Sequence, residues 1–344
     1  MKTNLLGMSL AELQQLCSNE GMPKFAAKQM CDWLYAKHVD NIDAMTNLSL
    51  KARARLNAIV FISRHAPVGC QVSKDGTKKY LFECASTIDN RQQYVEAVFI
   101  PDGDRSTLCV SCQMGCKMGC QFCVTGQHGF HGSLNASEIL NQILSIPEFD
   151  RLTNIVYMGM GEPMDNLDNV LRSTEVLVAG WGLGWSPHRI TVSSVGLIPG
   201  LRRFLNESQC HVAVSLHNPF AAERLEIMPM QKAYPIAEVV SMLQQYNWNG
   251  QRRISFEYTM FSGLNDDTRH AAELVRLLNG LRCRVNLIRF HSSPNTHFKT
   301  STTNTMERFR DYLNSHGVTC TIRTSRGEDI MAACGLLAGQ RLEV

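Results

Sequence analysis

Five of the chain's 13 cysteines fall within the stretch CVSCQMGCKMGCQFC, which runs from Cys109 to Cys123. Three of them, Cys116, Cys120 and Cys123, stand at C-x3-C-x2-C spacing. Zinc is normally held by four ligands, commonly as two C-x2-C pairs, and no second pair follows at the distance of a zinc finger. A [4Fe–4S] cluster is usually held by four thiolates, so three cysteines leave one iron open to a substrate. The spacing therefore favours an iron–sulfur cluster with an open iron over a zinc site.

The composition of the 344-residue chain bears on the compartment in which these thiols work. It is 44% hydrophobic and 19% charged, as in ordinary globular proteins. The start, MKTNLLGMSLAEL, lacks the basic and apolar regions of a signal peptide, and no apolar run reaches the length of a membrane span. We therefore expect a cytoplasmic protein with no membrane partner, where clustered cysteines more often bind metal or do redox chemistry than form structural disulfides.

The cysteine spacing, with Phe122 just before the last cysteine, resembles the signature of radical S-adenosylmethionine (SAM) enzymes. The resemblance implies that the amino and carboxylate groups of SAM bind the open iron. One electron then cleaves SAM to a 5′-deoxyadenosyl radical. We therefore expect one [4Fe–4S] cluster on Cys116, Cys120 and Cys123, with SAM bound beside it.

Other polar residues at predicted strand ends fit a SAM pocket. Gly161 and Glu162 lie in the segment MGMGEP, where glycine lets the backbone approach a ligand and a carboxylate can accept from an ammonium group. Ser193, Ser215 and His217 also lie at or just past strand ends. Each alone is more often an ordinary polar strand end, but at one edge of one sheet they indicate a shared ligand site.

A closer resemblance is carried by TLCVSCQMGCKMGCQFC, MGMGEP, SLH, VNLIRF and TSRGEDIMAACG, spread over nearly the whole chain. Together they resemble the RNA adenosine methyltransferases of the RlmN/Cfr type. The resemblance implies that Cys109 and Cys334 are the two mechanistic cysteines, and it leaves Cys112 as a spare thiol. It also implies that Glu96 accepts a proton.

The same resemblance adds two SAM contacts. They are Leu216, within SLH, and His291, which stands where many relatives have asparagine.

The resemblance further implies a reaction that uses two SAM molecules per turnover. Cys334 takes a methyl group from the first, and the radical derived from the second removes a hydrogen from that methyl. The carbon adds to adenine and joins protein to RNA. Cys109 then attacks the Cys334 sulfur, forming a transient disulfide that releases the methylated base. The family's substrates are 23S ribosomal RNA and, in several members, transfer RNA beside the anticodon, and an external donor such as flavodoxin or ferredoxin supplies the electron.

The elements that must position these residues follow a regular alternation from about residue 106. Strands are predicted at Ser106–Ser111, Asn154–Met158, Arg189–Ser194, His211–Leu216, Ile254–Met260, Val285–Phe290 and Val318–Arg323, and helices at Ser137–Ile146, Asn166–Ala179, Ile236–Gln245, Asp267–Leu278 and Thr305–Ser315. This pattern predicts an α/β fold with a partial parallel (β/α)6 barrel. In such barrels the chemistry lies at the C-terminal ends of the strands, and the cysteine-rich stretch follows the first strand.

Two smaller units precede the barrel. Residues 1–66 are predicted to form a basic helical domain of the RNA-binding type, with a capping box at Ser9 and Glu12. Residues 67–103 carry the turn signal Asp75-Gly76 between two strand patterns and are predicted to form a β-hairpin extension. The barrel and a C-terminal segment then occupy residues 104–344.

The basic pairs Lys78-Lys79, Arg202-Arg203 and Arg252-Arg253 are candidate phosphate contacts, although any of them could be ordinary exposed charge. The leading hypothesis is a methyltransferase acting on C2 of adenosine, because Pro163 is typical of that branch. Methylation at C8, as in the antibiotic-resistance branch, is the near alternative. A radical SAM enzyme with another substrate and a non-enzymatic RNA-binding protein with a structural metal also remain open.

Overall fold

The computed structural model describes residues 2–292 and 296–339. The strands are β1 (Thr3–Asn4), β2 (Val60–Phe61), β3 (Gly69–Val72), β4 (Lys78–Ala85), β5 (Gln92–Asp102), β6 (Arg105–Cys109), β7 (Gln113–Gly115), β8 (Phe130–Ser133), β9 (Asn154–Tyr157), β10 (Ile190–Ser194), β11 (His211–Ser215), β12 (Ile254–Met260), β13 (Arg284–Arg289) and β14 (Thr319–Ile322). The α-helices are α1 (Leu10–Asn19), α2 (Phe25–Cys31), α3 (Leu50–Ile59), α4 (Val124–Gln127), α5 (Ala136–Leu144), α6 (Leu167–Val178), α7 (Ile198–Glu207), α8 (Ala221–Ile227), α9 (Ile236–Gln244), α10 (Thr268–Leu277) and α11 (Thr303–Ser315). Within the described residues, no helix is both long and apolar enough to span a membrane.

One ten-stranded sheet dominates the fold, in the order β14-β13-β12-β11-β10-β9-β6-β5-β4-β3. From β6 to β14 every neighbouring pair is parallel, whereas β3 to β6 pair antiparallel. Six strand–helix units and a final strand therefore make up the parallel part, which confirms the predicted α/β partial barrel. The sheet has two free edges, β14 and β3, so its strands alone do not close the barrel.

The N-terminal residues form helices that pack on the barrel through α5. Ser9 caps α1 with the reciprocal Glu12 bond of a capping box, as predicted. The backbone N–H of His65 donates to the Asn141 side chain at 2.8 Å, and Asn141 donates back to the His65 carbonyl at 3.0 Å. These bonds fix the end of the helical region to α5.

Each parallel strand carries apolar side chains against the surrounding helices and a second row of side chains into the barrel. In β12, for example, Phe256 and Tyr258 are fully buried in the apolar core, whereas Ser255 and Glu257 line cavities within the barrel. The alternation follows from the pleat, because successive side chains point to opposite faces. It decides which residues of each strand can contact a ligand.

Candidate active site

The cysteine loop, residues 110–123, leaves the end of β6 and is held by backbone bonds. The Cys116 N–H donates to the Gly129 carbonyl at 2.9 Å. Gly115 has a φ of +80°, and a Cβ there would lie 1.8 Å from the Gly129 oxygen. Only glycine fits this close approach, which sets the path of the loop before its first cysteine.

Cys116, Cys120 and Cys123 line one cavity, here called the upper cavity. Burial, followed by repulsion between the cysteines, raises the pKa of Cys120. Burial also raises the pKa of Cys116, to about 12, against the opposing effect of a backbone hydrogen bond. Buried thiols of this kind stay protonated unless a positively charged group binds them, and a coordinating thiol is then deprotonated outright. Three soft sulfur donors in one cavity therefore fit an iron–sulfur cluster.

Within residues 2–292 and 296–339, no three His, Cys, Asp or Glu side chains converge as ligands of a single metal ion. In a four-iron cluster each thiolate binds a different iron, so the three sulfurs need not meet at one point. The donor set thus suits a cluster, and Cys116, Cys120 and Cys123 are the residues that would hold it.

Cys109 and Cys334 line the same upper cavity, although they are 225 positions apart in the chain. Cys109 is buried at the end of β6, opposite Val98 and Val156. Cys334 belongs to an irregular C-terminal segment, residues 324–339, and is exposed. Burial, followed by the charge of Cys334, raises the pKa of Cys109. Both thiols are free.

The C-terminal segment is bound on two sides. On the cysteine-loop side, the Val124 N–H donates to the Gly335 carbonyl at 2.8 Å, and the Thr125 hydroxyl donates to the Leu337 carbonyl at 2.6 Å. These two bonds set Cys334 beside the cysteine loop.

On the opposite side, the segment contacts the turn between β3 and β4. The Gly327 N–H donates to Asp75 at 2.9 Å, and the Ser73 hydroxyl donates to Asp329 at 2.6 Å. Arg326 pairs with Asp102, near the end of β5, at 2.8 Å. The segment thus runs from the β14 edge of the sheet to the hairpin strands, across the open side of the barrel.

Gly161 and Glu162 both line the upper cavity, but the reason for the glycine differs from the predicted one. A Cβ at Gly161 would lie 2.5 Å from the Cβ of Gln113, so glycine is required for packing against the start of the cysteine loop. The Glu162 carboxylate accepts from the Met164 N–H at 3.0 Å and from the Val195 N–H at 2.8 Å. Burial raises its pKa to about 7. Both residues organise the loops around the cavity.

Ser193, Ser215 and His217 also line the upper cavity, as their places at strand ends predict. His217 accepts through Nδ1 from the Thr259 N–H at 2.9 Å, so its proton is on Nε2. Burial and then Arg224 lower its pKa to about 3, which keeps the ring neutral at physiological pH.

Three predicted residues do not reach the upper cavity. The Leu216 side chain is buried in the apolar core, and His291 lines a neighbouring cavity, where it contacts Ser325 at 2.9 Å. Glu96 is buried; one carboxylate oxygen pairs with Lys79 at 3.2 Å and the other accepts from the Ala338 N–H at 3.0 Å. In this structure Glu96 is thus enclosed by its own neighbours rather than exposed to a substrate.

Two buried charged residues near the cavity were missed by sequence reasoning. Glu257 lines the upper cavity; its Oε1 accepts from Ser255 at 2.9 Å and from Asn286 at 2.8 Å, while Oε2 has no hydrogen-bond partner among the described residues. A glutamate within the apolar strand pattern ISFEYTM was the signal available. Arg224 is fully buried, and its guanidinium donates, among the described residues, only to carbonyl and amide oxygens, including those of Val195 and Ser215. It ties together the ends of β10 and β11.

Cys112 is buried but does not line the upper cavity. Its N–H donates to the Met160 carbonyl at 2.9 Å, and its carbonyl accepts from the Asn166 side chain at 2.8 Å. The assignment of Cys112 as a spare thiol stays a prediction.

Comparison with known proteins extends these observations. Residues 3–62 match the Ribosomal RNA large subunit methyltransferase N-terminal domain, and residues 110–275 match the Radical SAM superfamily. The chain is 56% identical over 337 residues to a protein of Phocaeicola vulgatus named "Probable dual-specificity RNA methyltransferase RlmN", covering 98% of this chain and 95% of that protein. It is 40% identical over 349 residues to the "Dual-specificity RNA methyltransferase RlmN" of Marinobacter nauticus, covering 98% and 93%. The crystal structure of a radical SAM methyltransferase from Sphaerobacter thermophilus superposes with a TM-score of 0.90 at 38% identity, covering 98% of this chain and 100% of that one.

Proposed function

The chain belongs to the RlmN family of radical SAM RNA methyltransferases, and from this premise we propose that it methylates C2 of adenosine in 23S ribosomal RNA and in transfer RNA near the anticodon. The observation that carries the proposal is the meeting of Cys109 and Cys334 in the cavity that holds Cys116, Cys120 and Cys123. Five thiols in one cavity supply both a cluster site and a pair of free sulfurs. The names of the relatives, which include "dual-specificity RNA methyltransferase", support two kinds of RNA substrate.

Cys116, Cys120 and Cys123 would hold the cluster, and the cluster with bound SAM supplies the electron and the radical that remove one hydrogen from a methyl group on Cys334. Ser193, Ser215 and His217 are the SAM contacts best placed for this role, because they line the same cavity. Gly161 and Glu162 shape the loops beside them. Leu216 and His291 stay predicted contacts that lie outside the upper cavity.

The role of Cys334 is to carry one carbon. Its thiolate attacks the methyl carbon of a first SAM, S-adenosylhomocysteine leaves, and Cys334 becomes a thioether. In a later step that carbon is bonded to C2 of adenine, and the adduct loses the C2 proton and one electron, which returns to the electron carrier. Cys109 then attacks the Cys334 sulfur: the sulfur–carbon bond breaks, its electron pair leaves with the carbon, and a proton completes the methyl group. The resulting Cys109–Cys334 disulfide needs two electrons from an external reductant before the next turnover.

Glu96 is the predicted acceptor of the C2 proton. Its carboxylate is bound by Lys79 and by the Ala338 N–H, so this role requires the end of the C-terminal segment to release it. Flavodoxin or ferredoxin stays the predicted electron donor.

The proposal is tested by trapping the covalent intermediate. Cys109→Ala leaves Cys334 able to join the RNA but unable to release it, so protein and 23S RNA should migrate together in a denaturing gel. Cys84→Ala is the matched control, because Cys84 is a buried thiol that lines neither the upper cavity nor the cavity of His291. Absence of the adduct under conditions in which the wild-type protein methylates RNA would contradict the two-thiol scheme.

Nucleoside mass spectrometry of RNA treated with the wild-type protein distinguishes the two positions on adenine. We expect 2-methyladenosine. Pro163, typical of the C2 branch, supports this choice over the alternative, and 8-methyladenosine alone would assign the protein to the C8 branch.

A further inference from the structure

A second cavity, here called the lower cavity, lies on the other side of Cys109 and Cys334. It has a volume of about 530 Å³ and is lined by residues of all seven parallel strands, by the end of β5 and by the C-terminal segment. Cys109 and Cys334 line both cavities. The two thiols thus form a shared wall, with the three cluster cysteines on one side only.

Four exposed arginines line the lower cavity: Arg105, Arg253, Arg284 and Arg323. Within the described part of the chain, the side chains of Arg105, Arg253 and Arg284 form neither a hydrogen bond nor an ion pair. Arg323 lies 3.7 Å from Glu257, at the limit of an ion pair. Burial, followed by repulsion from Arg323 and against the attraction of Asp102, lowers the pKa of Arg105.

Other charged or titratable side chains also face this cavity. Arg326 is neutralised by Asp102, and Arg289 donates to Ser301 and Thr303. His211 and His291 add two further side chains, neither of which carries negative charge. The lower cavity therefore keeps a positive excess that this chain does not neutralise.

The basic pairs that the sequence offered for RNA binding are mostly occupied instead. Lys78 pairs with Glu148 at 2.6 Å and Lys79 with Glu96 at 3.2 Å.

In the arginine pairs, Arg202 donates to Gln245 at 3.4 Å, and among the described residues only Arg253 has no side-chain partner. Arg203 pairs with Asp168 and Glu207, and Arg252 donates to backbone carbonyls. Of the six residues in the three pairs, only Arg253 lines the lower cavity.

We propose that the lower cavity is the site for the sugar–phosphate backbone of the RNA at the target nucleotide. This inference rests on the proposed function. A carbon carried on Cys334 must be reached by SAM and by adenine. The upper cavity, with its cluster cysteines, gives access from one side, and the lower cavity gives access from the other. Unpaired arginines are suited to phosphate because the guanidinium can donate two parallel hydrogen bonds to it.

The test compares RNA binding by Arg105→Ala, Arg284→Ala and the double variant with binding by Arg308→Ala. Arg308 is an exposed arginine on α11 that has no described side-chain partner and lies outside both cavities. Each variant therefore removes one unpaired surface charge. The probe is a transcribed 23S RNA hairpin, and its dissociation constant is measured by fluorescence anisotropy over a series of salt concentrations.

We expect each lower-cavity variant to weaken binding about tenfold, as the loss of a charge-assisted hydrogen bond does. The slope of log K against log salt should fall by about one for each phosphate that the variant no longer neutralises. Arg308→Ala should change neither quantity, and iron content should be equal in all variants. Equal affinity and slope in Arg105→Ala, Arg284→Ala and Arg308→Ala would overturn the proposal.

Three further outcomes separate the inference from the function on which it rests. If the wild-type protein methylates the hairpin but the lower-cavity variants bind and methylate it normally, the function stands and this site is wrong. If adenosine 5′-monophosphate or inorganic phosphate occupies the site without competing with the hairpin, the cavity binds a free anion and the RNA assignment is wrong. If the arginine effects appear but the wild-type protein forms no methyladenosine, the site stands and the function fails.

Discussion

The two cysteine-bearing regions that meet in the upper cavity are held in different ways. The cysteine loop is fixed mainly by backbone bonds, among them Cys116 N–H to Gly129 and Gln121 N–H to Ile227. The C-terminal segment relies on carboxylate side chains at one end, with Asp75 and Asp329 at the hairpin turn. Cys120 is buried, whereas Cys334 is exposed. The cysteine loop is therefore suited to holding a cofactor in a fixed position. The C-terminal segment is suited to carrying a sulfur that must react with several partners.

The largest expected effect comes from removing a cysteine of the cysteine loop. Cys120→Ala removes one of the three proposed cluster ligands, so iron content and SAM cleavage should fall to background. Iron assay and absorbance of anaerobically prepared protein measure this. Cys112→Ala removes a neighbouring buried thiol that lines neither cavity and should retain iron. Retention of a full cluster by Cys120→Ala would contradict the assignment.

Removing the Cys334 sulfur should separate the function of the C-terminal segment from that of the cysteine loop. Cys334→Ala is expected to keep its iron, because the cysteine loop is unchanged, but to form no methyladenosine. Cys320→Ala, a buried thiol on β14, is the control and should methylate RNA at close to the wild-type rate. Methylation by Cys334→Ala would show that another residue carries the carbon.

Weakening the contacts between the C-terminal segment and the turn between β3 and β4 should have an intermediate effect. Asp329→Ala removes the hydrogen bonds that the carboxylate accepts from the Ser73 hydroxyl and the Lys74 N–H. We expect faster hydrogen exchange over residues 327–338 and a several-fold loss of methylation at unchanged iron content. Asp311→Ala, whose carboxylate pairs with the adjacent Arg310 on the exposed face of α11, is the control. If exchange in the segment were unchanged, the carboxylates would not be what holds it.

The smallest effect concerns pH. Against the opposing effect of burial, hydrogen bonds from the Gly327 N–H and from Thr77 lower the pKa of Asp75 to about 2. A carboxyl with a lowered pKa in the folded state stabilises the fold above its unfolded pKa of about 4 and loses that contribution as pH falls towards 2. The difference in free energy of unfolding between wild type and Asp75→Asn should therefore be constant from about pH 5 to about pH 8 and shrink below about pH 4. Urea unfolding of the cluster-free protein at several pH values measures it, and a difference that does not change with pH would exclude this role.

Much of the barrel could be predicted from the sequence because strand and helix patterns alternate clearly. The predicted strand Ile254–Met260 coincides with β12, and the other barrel strands are shifted by one or two positions. Helix α7 was missed, since Pro199 and Gly200 at its start are weak helix formers. Helix α8 is short and was missed as well. The boundaries at residues 66 and 103 stay predictions.

The site was predictable where short motifs define it and unpredictable where distant contacts do. Ser193, Ser215 and His217 reach the upper cavity because strand ends meet at one edge of a parallel sheet. The enclosure of Glu96 depends on Ala338, which lies in the C-terminal segment at the far end of the chain. No local pattern predicts such a contact, and the same holds for the unpaired arginines of the lower cavity.

The segment that crosses from β14 to the hairpin has a consequence for turnover. It lies between the two free edges of the sheet, and it carries Cys334. Under the proposed function, an RNA that enters through this opening would displace the same piece of chain that carries the methyl-bearing sulfur. Exchange of one RNA for the next and regeneration of the Cys334 thiol would then both depend on movement of the C-terminal segment.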